Sequence, residues 1–202
     1  MLEIKDKHFL AQGVYQKCYV HPKNQNLCVK ISKLDLDTSR LLYEIKYFEK
    51  ISKKNWNKFE YPFFSKYHGK VQTNLGSGFV FDLIKDETTG EISKTMEYYL
   101  LNEDLKVTDD MLQKGFDKLI KLMIKHRVIA NDIRSKNICC KILHDNSIQM
   151  IIVDGVGHRD FIPLVQWFKY FSKKKINRRL IKHHLHDLEI QRKYLIDLQN
   201  KN

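Results

Sequence analysis

VIANDIRSKNICCKILHDNSIQMIIVDGVG, residues 128–157, carries two β-rich apolar runs around a polar gap. Residues 138–143 and 148–153 flank His144, Asp145, Asn146 and Ser147, a turn-like set, and together they read as a β-hairpin. Asp132 and Asn137 stand just before the first run, and Asp154 followed by Gly155 stands at the end of the second. Pairing the runs brings three oxygen-bearing side chains to the ends of two neighbouring strands. That set suits magnesium, a hard ion that takes one or two carboxylates and completes its shell with phosphate oxygens and water. It also matches what phosphoryl transfer needs: a carboxylate near the acceptor hydroxyl, and an amide and a second carboxylate on metal. Each half has a plain alternative. Asp-Gly after a strand often marks a turn, and an Asp and an Asn five positions apart recur by chance.

The chain has 202 residues, enough for one domain or two small lobes sharing a core, and its apolar share of 43% supports one. Cys18, Cys28, Cys139 and Cys140 show neither C-x-x-C nor zinc spacing and read as small core or half-buried thiols in a reducing cytosol. The opening MLEIKDKHFL lacks the pattern of a signal peptide, and no apolar run approaches bilayer length. The expected location is therefore cytoplasmic. A net charge of +12 favours anionic partners: nucleotide phosphates, nucleic acid, acidic lipid or lipopolysaccharide.

Residues 8–31 read as strands with a turn at Pro22, Asn24 and Asn26, and Gly13 lies in the first connection. In the last of these strands Leu27, Val29 and Ile31 share one face, and Cys28 and Lys30 the other. A buried lysine there wants an anion such as phosphate; on an edge strand it would simply reach solvent. Residues 38–52 form a helix whose expected buried stripe is Leu41, Leu42, Ile45, Phe48 and Ile51. Glu44 and Glu49 both fall within that arc, and a carboxylate on a buried stripe wants a cation, for which Lys30 is a candidate. Two further strands follow at 67–73 and 76–86. A helix over 109–126 is capped by Thr108, with Leu112, Phe116, Leu119, Ile120 and Met123 as its core face. Residues 164–198 are helical and strongly basic, which fits a solvated face, a docking surface for an anionic acceptor or membrane, or nucleic acid, in falling order. The lobe boundary is expected near residues 85–91.

Taken in order, these elements resemble the protein-kinase-like fold. CVKI resembles the lysine strand, EIKYF the start of the glutamate helix, FVFDLI the strand entering the adenine hinge, ANDIRSKN the catalytic loop, and VDG the metal-binding D-F-G. More closely, GVYQKCYVHP with LCVKI, NDIRSKNI and VDGVGHRDFIP resemble blocks of the bacterial YrbL family of PhoP regulatory network proteins, over roughly residues 8–175. The wider relatives this implies include lipopolysaccharide core kinases, RIO-type kinases and antibiotic kinases.

The resemblance implies an α+β, two-lobed protein-kinase-like fold. A β-rich N-terminal lobe would span residues 1–85. A truncated, mainly helical C-terminal lobe, holding the hairpin and the basic tail, would span 86–202. It also implies an ATP- and magnesium-dependent phosphotransferase acting on a non-protein hydroxyl, such as a lipopolysaccharide core sugar. Gly13 would belong to the phosphate loop, Lys30 would grip the α/β-phosphates and Glu44 would orient it. Asp82 and Ile84 would offer backbone groups to the nucleotide. Asn137 and Asp154 would hold magnesium, Asp132 would act as base, and Arg134 would offset charge on the transferred group. Partners would be a nucleotide, an anionic small molecule or glycolipid, and a membrane surface met by the basic tail, with no specific nucleic acid.

The departures are plain. Ala11 and Gln16 stand where further loop glycines would, Ala130 and Asn131 replace a His-Arg pair, Arg134 replaces a lysine, and no phenylalanine separates Asp154 from Gly155. They motivate a rival expectation: a pseudokinase serving as a regulatory binding module. A basic nucleic-acid-binding protein is the third.

Overall fold

Alternating apolar residues on short runs punctuated by glycine and asparagine build most of the first half of the chain into one antiparallel sheet. The structure is a computed structural model and describes residues 1–33, 39–52, 62–102, 106–157 and 169–201, without the side chains of residues 39–41, 44, 51 and 52. The architecture is α+β and divides into two compact units, Met1–Lys58 with Ser65–Ile84, and Phe59–Phe64 with Lys85–Asn202.

In the first unit, β1 (Phe9–Gln12), β2 (Gln16–Val20), β3 (Leu27–Ser32), β4 (Tyr67–Thr73) and β5 (Gly76–Asp82) are arranged in the order β1-β2-β3-β5-β4. The Gly13 N–H donates to the Gln16 carbonyl at 2.8 Å and closes the first turn. The central strand, β3, is covered on both faces. On one, Val29, Ile31, Tyr19 and Val80 pack with Leu2 and Ile4. The chain start is pinned there because the Asn74 side chain accepts from the Ile4 N–H at 2.7 Å and donates to the Ile4 carbonyl at 3.0 Å. The other face carries Cys28 and Lys30, register partners of Phe81 and Phe79. There Phe48 of helix α1 (Ser39–Ser52) meets Phe81 edge-on, with centroids 5.2 Å apart.

The α1 stripe differs from the expected one. Leu42 is 46% exposed, whereas Tyr47 is buried beside Ile45 and Phe48. The helix is rolled so that its tyrosine, not its leucine, faces inward; an aromatic residue removes more apolar area from water than a leucine does. Leu41 and Ile51 are side chains outside the described residues.

The second unit is built on a helix and a hairpin. Helix α3 (Asp109–His126) follows α2 (Met96–Leu101) and starts where expected: the Met111 N–H donates to Thr108 Oγ1 at 3.3 Å, and Asp109 and Asp110 occupy the first turn. Its buried face is Leu112, Gly115, Phe116, Leu119, Leu122 and Met123, with Ile120 half-buried. Strands β6 (Ile138–Ile142) and β7 (Ile148–Ile152) pair antiparallel, and α3 packs on β7. Gly115 sits where a Cβ would come within 3.3 Å of the Ile148 carbonyl, so the helix can lie close to the hairpin. The turn uses Asn146 at φ 61°, a left-handed conformation that asparagine tolerates, and the Ser147 N–H donates to Asp145 Oδ1 at 2.9 Å.

Two C-terminal helices, α4 (Lys169–Lys182) and α5 (Leu188–Gln199), complete this unit. Helix α4 packs on α3 through Ser172, Lys175, Ile176 and Leu180. Helix α5 packs on α2, which itself packs on the 3-10 turn Ser135–Asn137, and Gln191 of α5 hydrogen-bonds Ser135. Arg192 ties it down by donating to the Leu100 carbonyl at 3.0 Å and to Asp109 at 2.6 Å. No helix among the described residues is long and apolar enough to cross a membrane.

Candidate active site

Asn137 stands five positions after Asp132, and the backbone folds so that they meet. The buried Asn137 donates from Nδ2 to the Asp132 carbonyl at 2.8 Å, which leaves its amide oxygen as the ligand-capable atom. The hairpin register then aligns Asn137 with the far end of β7, since the Val153 N–H donates to the Asn137 carbonyl at 2.9 Å. Asp154, half-buried, is the next residue. This backbone bond sets residue 137 opposite residue 153, one position before Asp154.

A second lock joins Asp132 to the Asp-Gly corner. The Gly155 carbonyl accepts from the Asn131 N–H at 2.8 Å and the Asp132 N–H at 3.3 Å, and Ala130 and Val156 form a bridge beside them. Gly155 has φ 75°, and a Cβ on it would stand 2.7 Å from Asp132 Cβ and 2.8 Å from its carbonyl oxygen. The glycine is thus a contact requirement as well as a turn residue: only a bare Cα lets the two loops approach this closely.

Arg134 Nη2 donates to Asp132 Oδ2 at 2.5 Å. That hydrogen bond, reinforced by the charges of Asp132, Asp154 and Glu97, holds the guanidinium still more firmly protonated despite its partial burial. Around it, the Ser135 hydroxyl donates to Glu97 at 3.1 Å, and the buried Gln191 side chain of α5 hydrogen-bonds Ser135 at 3.2 Å. Helices α2 and α5 therefore brace the loop that carries Asp132.

In the first unit Lys30 lies on the central strand and is only 7% exposed, so the edge-strand alternative does not hold. Its ammonium stands 4.7 Å from the centroid of the Phe81 ring, a cation–π contact. Glu49 is exposed, and the Glu44 side chain lies outside the described residues. Gly13 keeps ordinary φ, and a Cβ there would meet nothing nearer than the Gln16 oxygen at 3.7 Å. At the end of β5 the Asp82 N–H is donated to the Lys66 carbonyl at 3.0 Å and the Leu83 N–H to the Asn26 carbonyl at 2.9 Å. Asp82 also accepts at its carbonyl from Ser65 at 3.0 Å and at its carboxylate from His68 at 2.5 Å. Ile84 is buried.

Cys28, Cys139 and Cys140 are buried and Cys18 is half-buried. The Cys28 thiol is pushed well up by its hydrogen bond with Cys18 and by burial, and the Cys140 thiol by burial, so neither supplies a thiolate. Among the described residues no three His, Cys, Asp or Glu side chains form a metal-holding group. A magnesium ion bound through Asn137, Asp154 and phosphate oxygens requires none, and the hard oxygen donors at these strand ends fit it.

Residues 2–185 match the family model described as PhoP regulatory network protein YrbL. The chain belongs to this family. Similar relatives are the YrbL proteins of Escherichia coli K12 and of Shigella flexneri, each 26% identical over 184 residues, covering 88% of this chain and 84% of the relative. Most of the YrbL-like length is thus present here, the hairpin site and α4 included. Two positions near the site escaped sequence reasoning. Arg179 of α4 donates to Asn131 Oδ1 at 3.4 Å, and His183, just past the end of α4, lies close enough to feel the Asp132 carboxylate. Both sit in a run of basic residues where no spacing sets them apart.

Proposed function

We propose that this YrbL-family chain is a kinase-like phosphotransferase that uses ATP and magnesium to phosphorylate a hydroxyl on a non-protein acceptor, an anionic sugar of the lipopolysaccharide-core type. One observation carries the reading: an aspartate, an asparagine and a second aspartate, in the order the chemistry needs, are locked together by the β6–β7 hairpin and the Gly155 carbonyl. In this reading Asp154 and the Asn137 amide oxygen hold magnesium, which supplies charge neutralisation at the phosphates when bound. Asp132 orients the acceptor hydroxyl and takes its proton. Arg134, already beside Asp132, offsets charge on the transferred group with a forked guanidinium. Lys30, with Glu44 as its proposed partner, neutralises the α/β-phosphates, which accounts for a lysine kept on a central strand. Asp82 and Leu83 have already committed their N–H groups, so the nucleotide edge falls to carbonyls there and to Ile84.

Replacing Lys30 with Met tests the lysine without opening a cavity. Removing one partner of the proposed Lys30–Glu44 pair costs stability as well, so folding is checked on the same preparation. Loss of a charge-assisted hydrogen bond worth about 1.5–3 kcal/mol lowers ATP affinity roughly 10- to 100-fold. The expected result is weaker ATP binding in a calorimetric titration of protein shown to be folded by circular dichroism. Unchanged affinity removes Lys30 from the phosphate site.

A second reading, a pseudokinase module that binds nucleotide without turnover, is favoured by the loop around Gly13, whose residues 11–16 include no other glycine. Turnover under conditions where Mg·ATP binds separates the two. A basic nucleic-acid-binding protein is the third, and a steep salt dependence of DNA or RNA binding would mark it.

A further inference from the structure

We infer that Arg179 and His183, together with Arg134, form an anion-binding subsite beside Asp132 that holds a phosphate group carried by the acceptor. The inference rests on the proposed phosphotransfer reading for the word acceptor; the subsite itself does not depend on it.

Three cationic or cationisable side chains from two segments gather around residues 131 and 132. Arg134 bonds Asp132 directly, and Arg179 reaches the adjacent Asn131 from α4. His183 continues the α4 bonding pattern, its N–H donating to the Arg179 carbonyl at 3.1 Å, and so stands one turn beyond Arg179. The charges acting on its ring include Asp132, Arg134 and Arg179, while burial favours its neutral form. The Gln191 side chain of α5, which hydrogen-bonds Ser135, lies beside the carbonyls of His183 and His184.

The cluster is over-supplied with donors for the carboxylate it surrounds. Nε of Arg134 and Nε of Arg179 are buried and have no hydrogen-bond partner among the described residues. Buried donors are almost always satisfied, and such exceptions point to a group that binds there. Two guanidinium forks and an imidazole match a tetrahedral phosphate oxyanion in charge and geometry. An acceptor anchored by its own phosphate would present a neighbouring hydroxyl to Asp132.

The test uses the full chain and inorganic phosphate as probe, against chloride at equal ionic strength, read by thermal unfolding and by calorimetry. Phosphate is expected to raise the unfolding midpoint of the parent. Arg179→Gln and His183→Gln each weaken phosphate binding, by about tenfold for the arginine, whereas Lys114→Gln on the exposed face of α3 does not. Phosphate also binds the protein already saturated with Mg·ADP. A parent that responds equally to phosphate and chloride overturns the subsite, as does unchanged affinity in both Arg179→Gln and His183→Gln. Phosphate binding that is lost on saturation with a non-hydrolysable Mg·ATP analogue, but not with Mg·ADP, assigns the cluster to the γ-phosphate and overturns the acceptor role. Should phosphate bind as described while Mg·ATP does not bind at all, the subsite stands and the phosphotransfer reading falls.

Discussion

Asp132→Asn lowers phosphotransfer by about 10²–10⁴-fold while leaving Mg·ATP affinity and folding stability near those of the parent. The range is that of a positioned acid–base group. Asparagine is the informative replacement because its amide oxygen still accepts from Arg134, as Oδ2 of Asp132 does now, so the loop keeps its shape. The backbone of residue 132 is equally untouched, since its carbonyl and N–H, not its side chain, make the bonds to Asn137 and Gly155. The check is steady-state phosphate transfer beside a nucleotide titration on the same preparation. A variant as active as the parent removes Asp132 from the chemistry. Loss of Mg·ATP binding in parallel would mean that the substitution had disturbed the metal site instead.

Gly155→Ala is the largest expected structural effect in the second unit. A left-handed conformation costs an L-residue about 1–2 kcal/mol, and forcing a methyl group into filled space adds about 1–3 kcal/mol. At φ 75° the new Cβ would meet the backbone of Asp132, not the end of a pliable side chain, so the strain cannot be relieved by a rotamer change. A loss of roughly 2–5 kcal/mol is expected in urea unfolding followed by circular dichroism, with the same sum of terms setting the range. Because the Gly155 carbonyl receives the Asn131 and Asp132 N–H groups, the damage should reach Asp132 and depress activity in whatever fraction stays folded. A change below about 0.5 kcal/mol, the range of an ordinary surface substitution, would show that the close approach is not a constraint on this fold.

These two residues also mark what can be read from sequence and what cannot. The hairpin was legible because two β-branched runs flank an Asn-containing turn, and α3 because eighteen residues give a helical period ample room. Helix α2 was not, since six residues are under two turns and its Met96, Tyr99 and Leu100 are equally consistent with a strand or a loop. Leu42 misled because the stripe of α1 has apolar residues on both margins, and which margin is buried depends on what packs against it. Lys30 could be flagged by alternation, yet only the strand order shows that its strand is central. Gly155 was readable as a turn residue, but the distance to Asp132 is a tertiary fact. Arg179 and His183 were hidden for a different reason: α4 carries basic residues on every side, so composition could not say which of them turn inward.

In the proposed reading, ATP binding needs magnesium, and Lys30 and Asp154 each contribute to it. Calorimetric titration of ATP into the full chain, with magnesium and then with excess chelator, tests it most directly. The account predicts one ATP per chain, bound with magnesium and much weaker once the metal is removed, and weakened again by Asp154→Asn as by Lys30→Met. ATP binding that is indifferent to the chelator and to Asp154, or no binding at all, would contradict it.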